Sequence, residues 1–285
     1  MHEDHDLGLA HDLDTLMRRS AERRRLLAWL AAGSAVPLGL LACGGGGEAG
    51  AATTGSASTG SSSGGGGSGS SCAVIPEETA GPYPADGSNS NASGVVNVLG
   101  LSGIVRSDIR TSVAGASGTA AGVPLTVRLQ LVNTTASCAD LAGYAIYLWH
   151  CTQGGAYSLY SAGFTGENYL RGVQATDADG LASFTTIFPG CYAGRMPHIH
   201  FEVYRSLATA TASTSKLRTS QLAFPVAACQ QVYATSGYGQ SAANLAQISF
   251  ATDNVFSDGT ALQLATLSGD TSSGYLATLQ VGIAA

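Results

Sequence analysis

Residues 190–204, GCYAGRMPHIHFEVY, contain two histidines one residue apart. Side chains alternate across a β-strand, so on a strand His198 and His200 point to the same face. Their Cα atoms would then lie about 7 Å apart, which lets two imidazoles converge on one metal ion. The pair is also compatible with two surface histidines, or with histidines satisfied by hydrogen bonds. The spacing alone leaves a metal site and these alternatives equally open.

The neighbouring residue types bear on which metal would bind. A zinc site needs three or four ligands, and the only other histidine outside the first 11 residues is His150. Asp177 and Asp179 lie in TDADGL and are more simply turn formers. Tyrosine is abundant, and a phenolate is a hard donor that suits Fe(III), which lowers the phenol pKa from about 10. A zinc hydrolase using His198, His200 and His150 is an alternative, but it lacks an obvious general-base carboxylate beside the histidines, Glu202 being the closest.

Four segments together resemble the intradiol ring-cleavage dioxygenases, a family that includes the catechol and protocatechuate enzymes. The resemblance extends from about Cys72 to the C-terminus. Its segments are PEETAGPYP (76–84), GAYSLYS (155–161), TDADGLASFTTIFPGCYAGRMPHIHF (176–201) and TSQLAF (219–224).

The resemblance implies a mononuclear non-haem Fe(III) ion held by two tyrosines and two histidines. By position these are Tyr157, Tyr192, His198 and His200. It implies that O₂ cleaves a catechol-type diol between its hydroxylated carbons, giving a cis,cis-muconate-type product. Tyr192 corresponds to the ligand that departs with a substrate proton.

Two further residues follow from the same resemblance. Arg195 and Gln221 correspond to side chains that lie close to substrate and stabilise developing charge. Tyr83, in GPYP, is a weaker candidate for substrate contact. The chain departs from the family in lacking the N-terminal helical segment of the catechol branch. Only five residues separate Tyr192 from His198, fewer than in the protocatechuate branch. The particular catechol and the oligomeric state stay open.

The elements that must position these residues are strands. In VPLTVRLQLVN (123–133) Leu, Val, Leu and Leu alternate with polar residues, as in a half-buried strand. We predict an all-β fold, a single β-sandwich domain of the intradiol dioxygenase type after a signal segment and a flexible linker. QSAANLAQ (240–247) is expected to form a short helix. The other predicted strands are GYAIYLWHC, LASFTTIFPG, PHIHFEVY, TSQLAFPV, AQISFATD, ALQLATL and YLATLQVGI.

The N-terminal region is typical of exported proteins. Residues 1–43 contain RRRLL, which resembles a twin-arginine signal, then an apolar run that ends in the lipobox-like LLAC. We expect lipid on Cys43, and the alternative is a transmembrane anchor, which the 17-residue run with Pro37 disfavours. Residues 44–71 are almost wholly Gly, Ser, Ala and Thr and predict a flexible linker. The catalytic domain is expected over 72–285.

Charge and cysteine content constrain partners and location. The chain has 13 Lys or Arg against 19 Asp or Glu, a formal net charge of −6, so we predict no nucleic-acid partner. Export predicts an oxidising compartment, in which disulfides persist. Because Cys151 and Cys191 lie near the two tyrosines that the resemblance assigns to iron, we expect a Cys151–Cys191 bridge. The rival hypothesis is a lipid-anchored β-sandwich binding module without catalysis.

The lipid anchor is testable by substitution. We expect Cys43→Ser to release the protein from membranes or to block its processing, because the lipidated thiol is lost. Cell fractionation and the size of the mature protein measure both effects. A variant that stays membrane-bound and uncleaved like the wild type would indicate a transmembrane helix instead.

Overall fold

The computed structural model describes residues 72–285. The expected signal, lipobox and linker lie outside these residues. Within them no helix is long and apolar enough to cross a membrane. The helices are α1 (Val226–Tyr233) and α2 (Gly239–Leu245), with 3₁₀ turns at Ser213–Ser215 and Phe256–Asp258. The strands, in chain order, are β1 (Asp86–Asn91), β2 (Gly94–Asn97), β3 (Pro124–Asn133), β4 (Ala139–Asp140), β5 (Ala145–Trp149), β6 (Arg171–Ala175), β7 (Leu181–Ile187), β8 (His198–Tyr204), β9 (Lys216–Ala223), β10 (Thr266–Asp270) and β11 (Gly274–Ile283).

Two sheets form the predicted β-sandwich. One is antiparallel in the order β6-β5-β8-β9. In the other, β10, β11 and β3 are neighbours, and β3 pairs on its far side with β7 and the short β4. β3 and β11 run parallel over nine residue pairs. The alternation in β3 buries Leu125, Val127, Leu129 and Leu131 between the sheets, as its apolar period of two requires.

β8 differs from β3 because both of its faces are covered. All seven of its residues are buried. Ile199, Phe201 and Val203 join the core between the sheets. The opposite face carries His198 and His200 and lies under the N-terminal segment and the β1–β2 hairpin, whose residues pack on Tyr147 and Trp149 of β5. The sheet therefore has a second buried face, and polar side chains occupy it.

Most of the predicted elements are confirmed, including the helix near 240–247. AQISFATD (246–253) is wrong as a strand, because it forms turns that follow the end of α2 at Leu245. ALQLATL (261–267) is a strand only from Thr266, where β10 begins. TSQLAFPV is a strand only as far as Ala223, since Pro225 cannot donate to a ladder and instead precedes α1. β6, α1 and the β1–β2 hairpin were not predicted.

The disulfide prediction is wrong. Cys151 and Cys191 are buried free thiols, as is Cys229. The sulfur of Cys151 contacts the carbonyl oxygen of Gly190 at 3.5 Å, and the sulfur of Cys191 contacts the carbonyl oxygen of Arg195 at 3.4 Å. Burial raises the pKa of both thiols to about 12. The observed bridge joins Cys72 and Cys138, 66 residues apart.

The Cys72–Cys138 bridge should stabilise the domain by restricting its unfolded chain. We expect Cys72→Ser/Cys138→Ser to lower the free energy of unfolding by about 2–4 kcal/mol. Denaturant unfolding with and without a reducing agent measures the effect. The double variant should be insensitive to the reductant, and an equal response of wild type and variant would contradict this assignment.

Candidate metal centre

The two histidines of β8 meet at their Nε2 atoms. His198 Nε2 lies 3.1 Å from His200 Nε2. His198 Nδ1 lies 2.6 Å from the carbonyl oxygen of Met196, and a carbonyl only accepts, so Nδ1 carries the proton and Nε2 exposes its lone pair. This is the arrangement that fixes a metal-binding tautomer. Metal–imidazole bonds are about 2.1 Å long, so a nitrogen separation near 3 Å suits two adjacent ligands of one ion.

Strand register fixes the plane of the His200 ring. His200 is paired across the sheet with Trp149 of β5 and with Gln221 of β9. The indole of Trp149 stacks on the imidazole, with ring centroids 4.8 Å apart and planes 4° from parallel. The three side chains form one row across the buried outer face, so neither histidine can rotate freely.

Tyr192 reaches the histidines from the loop that follows β7. Its hydroxyl lies 3.1 Å from His198 Nε2. Gly155 allows this approach, since it has φ +86° and a Cβ there would stand 3.1 Å from Tyr192 Cβ. Unlike the other three predicted ligands, Tyr192 is only half-buried.

Tyr157 completes the group from the other side. Its ring lies edge-on to Tyr192, 5.9 Å between centroids, and to His200, at 6.4 Å. The hydroxyl is buried and has no hydrogen-bond partner within residues 72–285. Leaving a buried hydroxyl unpaired is costly, so the position of this oxygen suits a bound cation.

The electrostatics of the four donors suit a bound cation. Burial, with Arg195 contributing, lowers the pKa of His198 well below its ordinary value, and burial chiefly does so for His200. Burial raises the pKa of Tyr157 well above 10 and that of Tyr192 to about 12. The imidazoles are therefore neutral and ready to ligate, while the phenols need a strong Lewis acid to ionise.

The donor set fits ferric iron better than zinc. In the described part of the chain, no three His, Cys, Asp or Glu side chains are grouped to hold a metal. His150 does not join the pair, because its ring nitrogens contact Cys151 O at 2.8 Å and Thr186 Oγ1 at 2.7 Å. Asp177 caps its own turn by accepting from Asp179 N and Leu181 N. Two imidazoles and two phenols remain. Imidazole suits iron as well as zinc, and the hard phenol oxygens favour a hard ion such as Fe(III).

Arg195 and Gln221 are brought together beside the histidines. Arg195 Nη2 donates to Gln221 Oε1 at 2.6 Å, and Gln221 Nε2 donates to Thr79 O at 3.0 Å. Both side chains are buried. The guanidinium and the amide are thereby fixed in orientation next to the candidate centre. That they face a substrate stays a prediction.

Asp253 is a residue of this site that the sequence analysis missed. It is fully buried, and both carboxylate oxygens accept from Arg195 Nε, at 3.0 and 3.2 Å. It also accepts from the backbone N–H groups of Met196, Val255 and Phe256. The sequence places it in a segment predicted as a strand, 58 residues from Arg195, so no local pattern could reveal the pairing.

The other residues singled out from the sequence do not join the four predicted ligands. Tyr83 packs on Tyr157 with centroids 5.0 Å apart and on Tyr160 at 5.1 Å. Glu202 bonds Tyr204 and Lys216 rather than facing the histidines. A cavity of about 510 Å³ lies between α1 and α2, and none of the four predicted ligands lines it.

Comparison with known proteins gives the family. The family model described as Dioxygenase matches residues 105–262, just over half of the chain. An intradiol ring-cleavage dioxygenase from Tetranychus urticae is 24% identical over 74% of this chain and 95% of its own, with a TM-score of 0.56. The dioxygenase domain of a carbohydrate-binding fusion from Streptomyces sp. SirexAA-E is 25% identical over 74% and 98%, with a TM-score of 0.45. No curated protein matches.

The chain belongs to the intradiol ring-cleavage dioxygenase family. The structural likeness to the Tetranychus urticae protein confirms the predicted β-sandwich. The family supports a dioxygenase activity.

The Arg195–Asp253 ion pair should contribute strongly to the free energy of unfolding. We expect Asp253→Asn to lower the free energy of unfolding by about 3–5 kcal/mol, because it leaves a buried guanidinium unpaired. Denaturant unfolding measures this. The matched control is Asp108→Asn at the exposed pair with Arg110, which should cost at most about 1 kcal/mol. Equal losses in the two variants would contradict the prediction.

Proposed function

We propose that this protein is an Fe(III)-dependent intradiol dioxygenase whose ion is held by Tyr157, Tyr192, His198 and His200. The observation that carries the proposal is the convergence of the two Nε2 atoms, 3.1 Å apart, beside two tyrosine hydroxyls. One of those hydroxyls is buried without a protein partner. A ferric ion bound there would orient the substrate diol as a Lewis acid and activate its ring toward O₂.

The two tyrosines differ in a way that assigns them different roles. Tyr157 is buried, and its backbone N–H donates to Ser161 Oγ at 2.9 Å. Tyr192 is half-buried on a loop next to Gly194, which has φ +83°. Tyr192 is therefore the side chain with room to withdraw when a diol binds, and its oxygen can take a substrate proton as it leaves. Tyr157 stays in place.

Arg195 and Gln221 act on the substrate side. Asp253 balances the charge of Arg195 and orients its guanidinium, while Gln221 is fixed by Thr79. Preorganised donors of this kind stabilise negative charge that develops during reaction without having to reorganise. The product is a cis,cis-muconate-type dicarboxylate, and such anionic groups suit a neighbouring guanidinium.

Export through the N-terminal signal and lipid on Cys43 complete the proposal. In that location the enzyme meets aromatic diols before they enter the cell. A catalytically inert binding module is the second candidate, but it gives no reason to bury two imidazoles and two phenols with their donor atoms together. Iron content of the purified protein separates the two candidates.

Tyrosine substitutions test the assigned roles. Loaded wild type should show the visible charge-transfer band of ferric tyrosinate. Tyr192→Phe should retain iron and much of this band, because Tyr157 still donates, yet lose about 100-fold or more in kcat. Oxygen uptake with catechol and a visible spectrum measure both effects.

The complementary variants locate the metal ligands. Tyr157→Phe should weaken iron retention, and His198→Ala or His200→Ala should abolish it. Wild-type activity with an unchanged spectrum in Tyr192→Phe would remove Tyr192 from the iron.

A further inference from the structure

Arg171 is a buried cation that the proposed mechanism does not use. It lies in β6, has no exposed surface, and is paired across the sheet with Trp149. No ion pair joins it to a carboxylate of the part of the chain that the structure describes. Burying an unpaired charge is costly, so the contacts of the guanidinium must compensate for its lost hydration.

The guanidinium is satisfied entirely by neutral acceptors. Nε donates to Ser158 Oγ at 3.0 Å and Nη2 donates to Ser158 O at 3.0 Å. Nη1 donates to Pro84 O at 3.0 Å and to the hydroxyl of Tyr147 at 3.2 Å. Tyr147 in turn donates to Pro84 O at 2.7 Å. Arg171 therefore bonds two separate segments of chain, one at Ser158 and one at Pro84.

Both segments lead directly to Tyr157. Ser158 follows Tyr157 in the chain, and Pro84 follows Tyr83, whose ring packs against Tyr157 with centroids 5.0 Å apart. The turn after Ser158 is strained, since Leu159 has φ +73°, a conformation that a non-glycine residue adopts only when its surroundings impose it. The forked bonds to Ser158 contribute to that constraint, together with the bonds of Leu159 N–H to Phe164 O and of Asn91 Nδ2 to Leu159 O, both 2.9 Å.

We propose that Arg171 is a positioning residue that fixes Tyr157 for iron by clamping Ser158 on one side and Pro84 on the other. The inference rests on the proposed function, in which Tyr157 is the ligand that stays bound. A planar guanidinium can make these divergent bonds at once, whereas a lysine ammonium cannot reproduce the fork. The role therefore requires the shape of arginine as well as its charge.

The test uses the full-length protein in a Tyr192→Phe background, where Tyr157 is the only tyrosinate left to colour the iron. Arg171→Lys in that background should weaken or shift the visible band and speed iron release to a chelator by about 10–100-fold. It should also reduce the increase in unfolding temperature that iron produces. The matched control is Arg205→Lys, since Arg205 also donates to a tyrosine hydroxyl, that of Tyr144, at the opposite end of β5 from Arg171.

The outcomes separate the inference from the function on which it rests. A colourless, iron-free Tyr192→Phe parent would overturn the proposed function. A coloured parent whose band and iron release are unchanged by Arg171→Lys, or changed equally by Arg205→Lys, would overturn the role of Arg171. If Arg171→Lys does not fold, Ser158→Ala decides, because it removes one bond of the fork; a faster iron release supports the inference and a wild-type rate overturns it.

Discussion

The register of β8 against β5 and β9 is the constraint on which the rest of the site depends. It places His200 between Trp149 and Gln221, and it directs Ile199, Phe201 and Val203 into the core. A slip of one residue would exchange these faces and bury the imidazoles between the sheets. Because the strand is covered on both sides, the apolar core and the polar site specify the same register.

The second buried face explains how so many polar groups are kept from water at tolerable cost. Most of them pair with one another or with backbone, as Arg195 does with Asp253 and Arg171 does with Ser158. The hydroxyl of Tyr157 is an exception. In a preorganised binding site, the surrounding side chains are held by their own partners, and the ligand supplies the interaction that the unpaired donor atom lacks. The Tyr157 hydroxyl and the groups around it follow this pattern.

The sequence predicted those features of the fold and site that depend on local patterns of residues. The strict alternation of β3 and β8 and the turn residues gave the sandwich, and the spaced family motif gave the donor atoms that the structure brings together. Contacts between residues that are far apart in the chain left no such pattern in the sequence. Asp253 sits in turns within 246–253, where short apolar residues imitate strand alternation. The Cys72–Cys138 bridge depends on where the N-terminal segment runs. Arg171 gains its significance from hydrogen bonds to Ser158, Pro84 and Tyr147, which no sequence pattern reports.

The stacking of Trp149 on His200 has a photophysical consequence. Trp149 is the single tryptophan of residues 72–285, and its ring lies parallel to an imidazole that would touch the ion, at 4.8 Å. An excited indole so close to an open-shell, visibly absorbing centre loses its energy before it can emit. Under the proposed function, the fluorescence intensity of Trp149 would therefore report whether iron occupies the site, without a label and in the absence of any substrate.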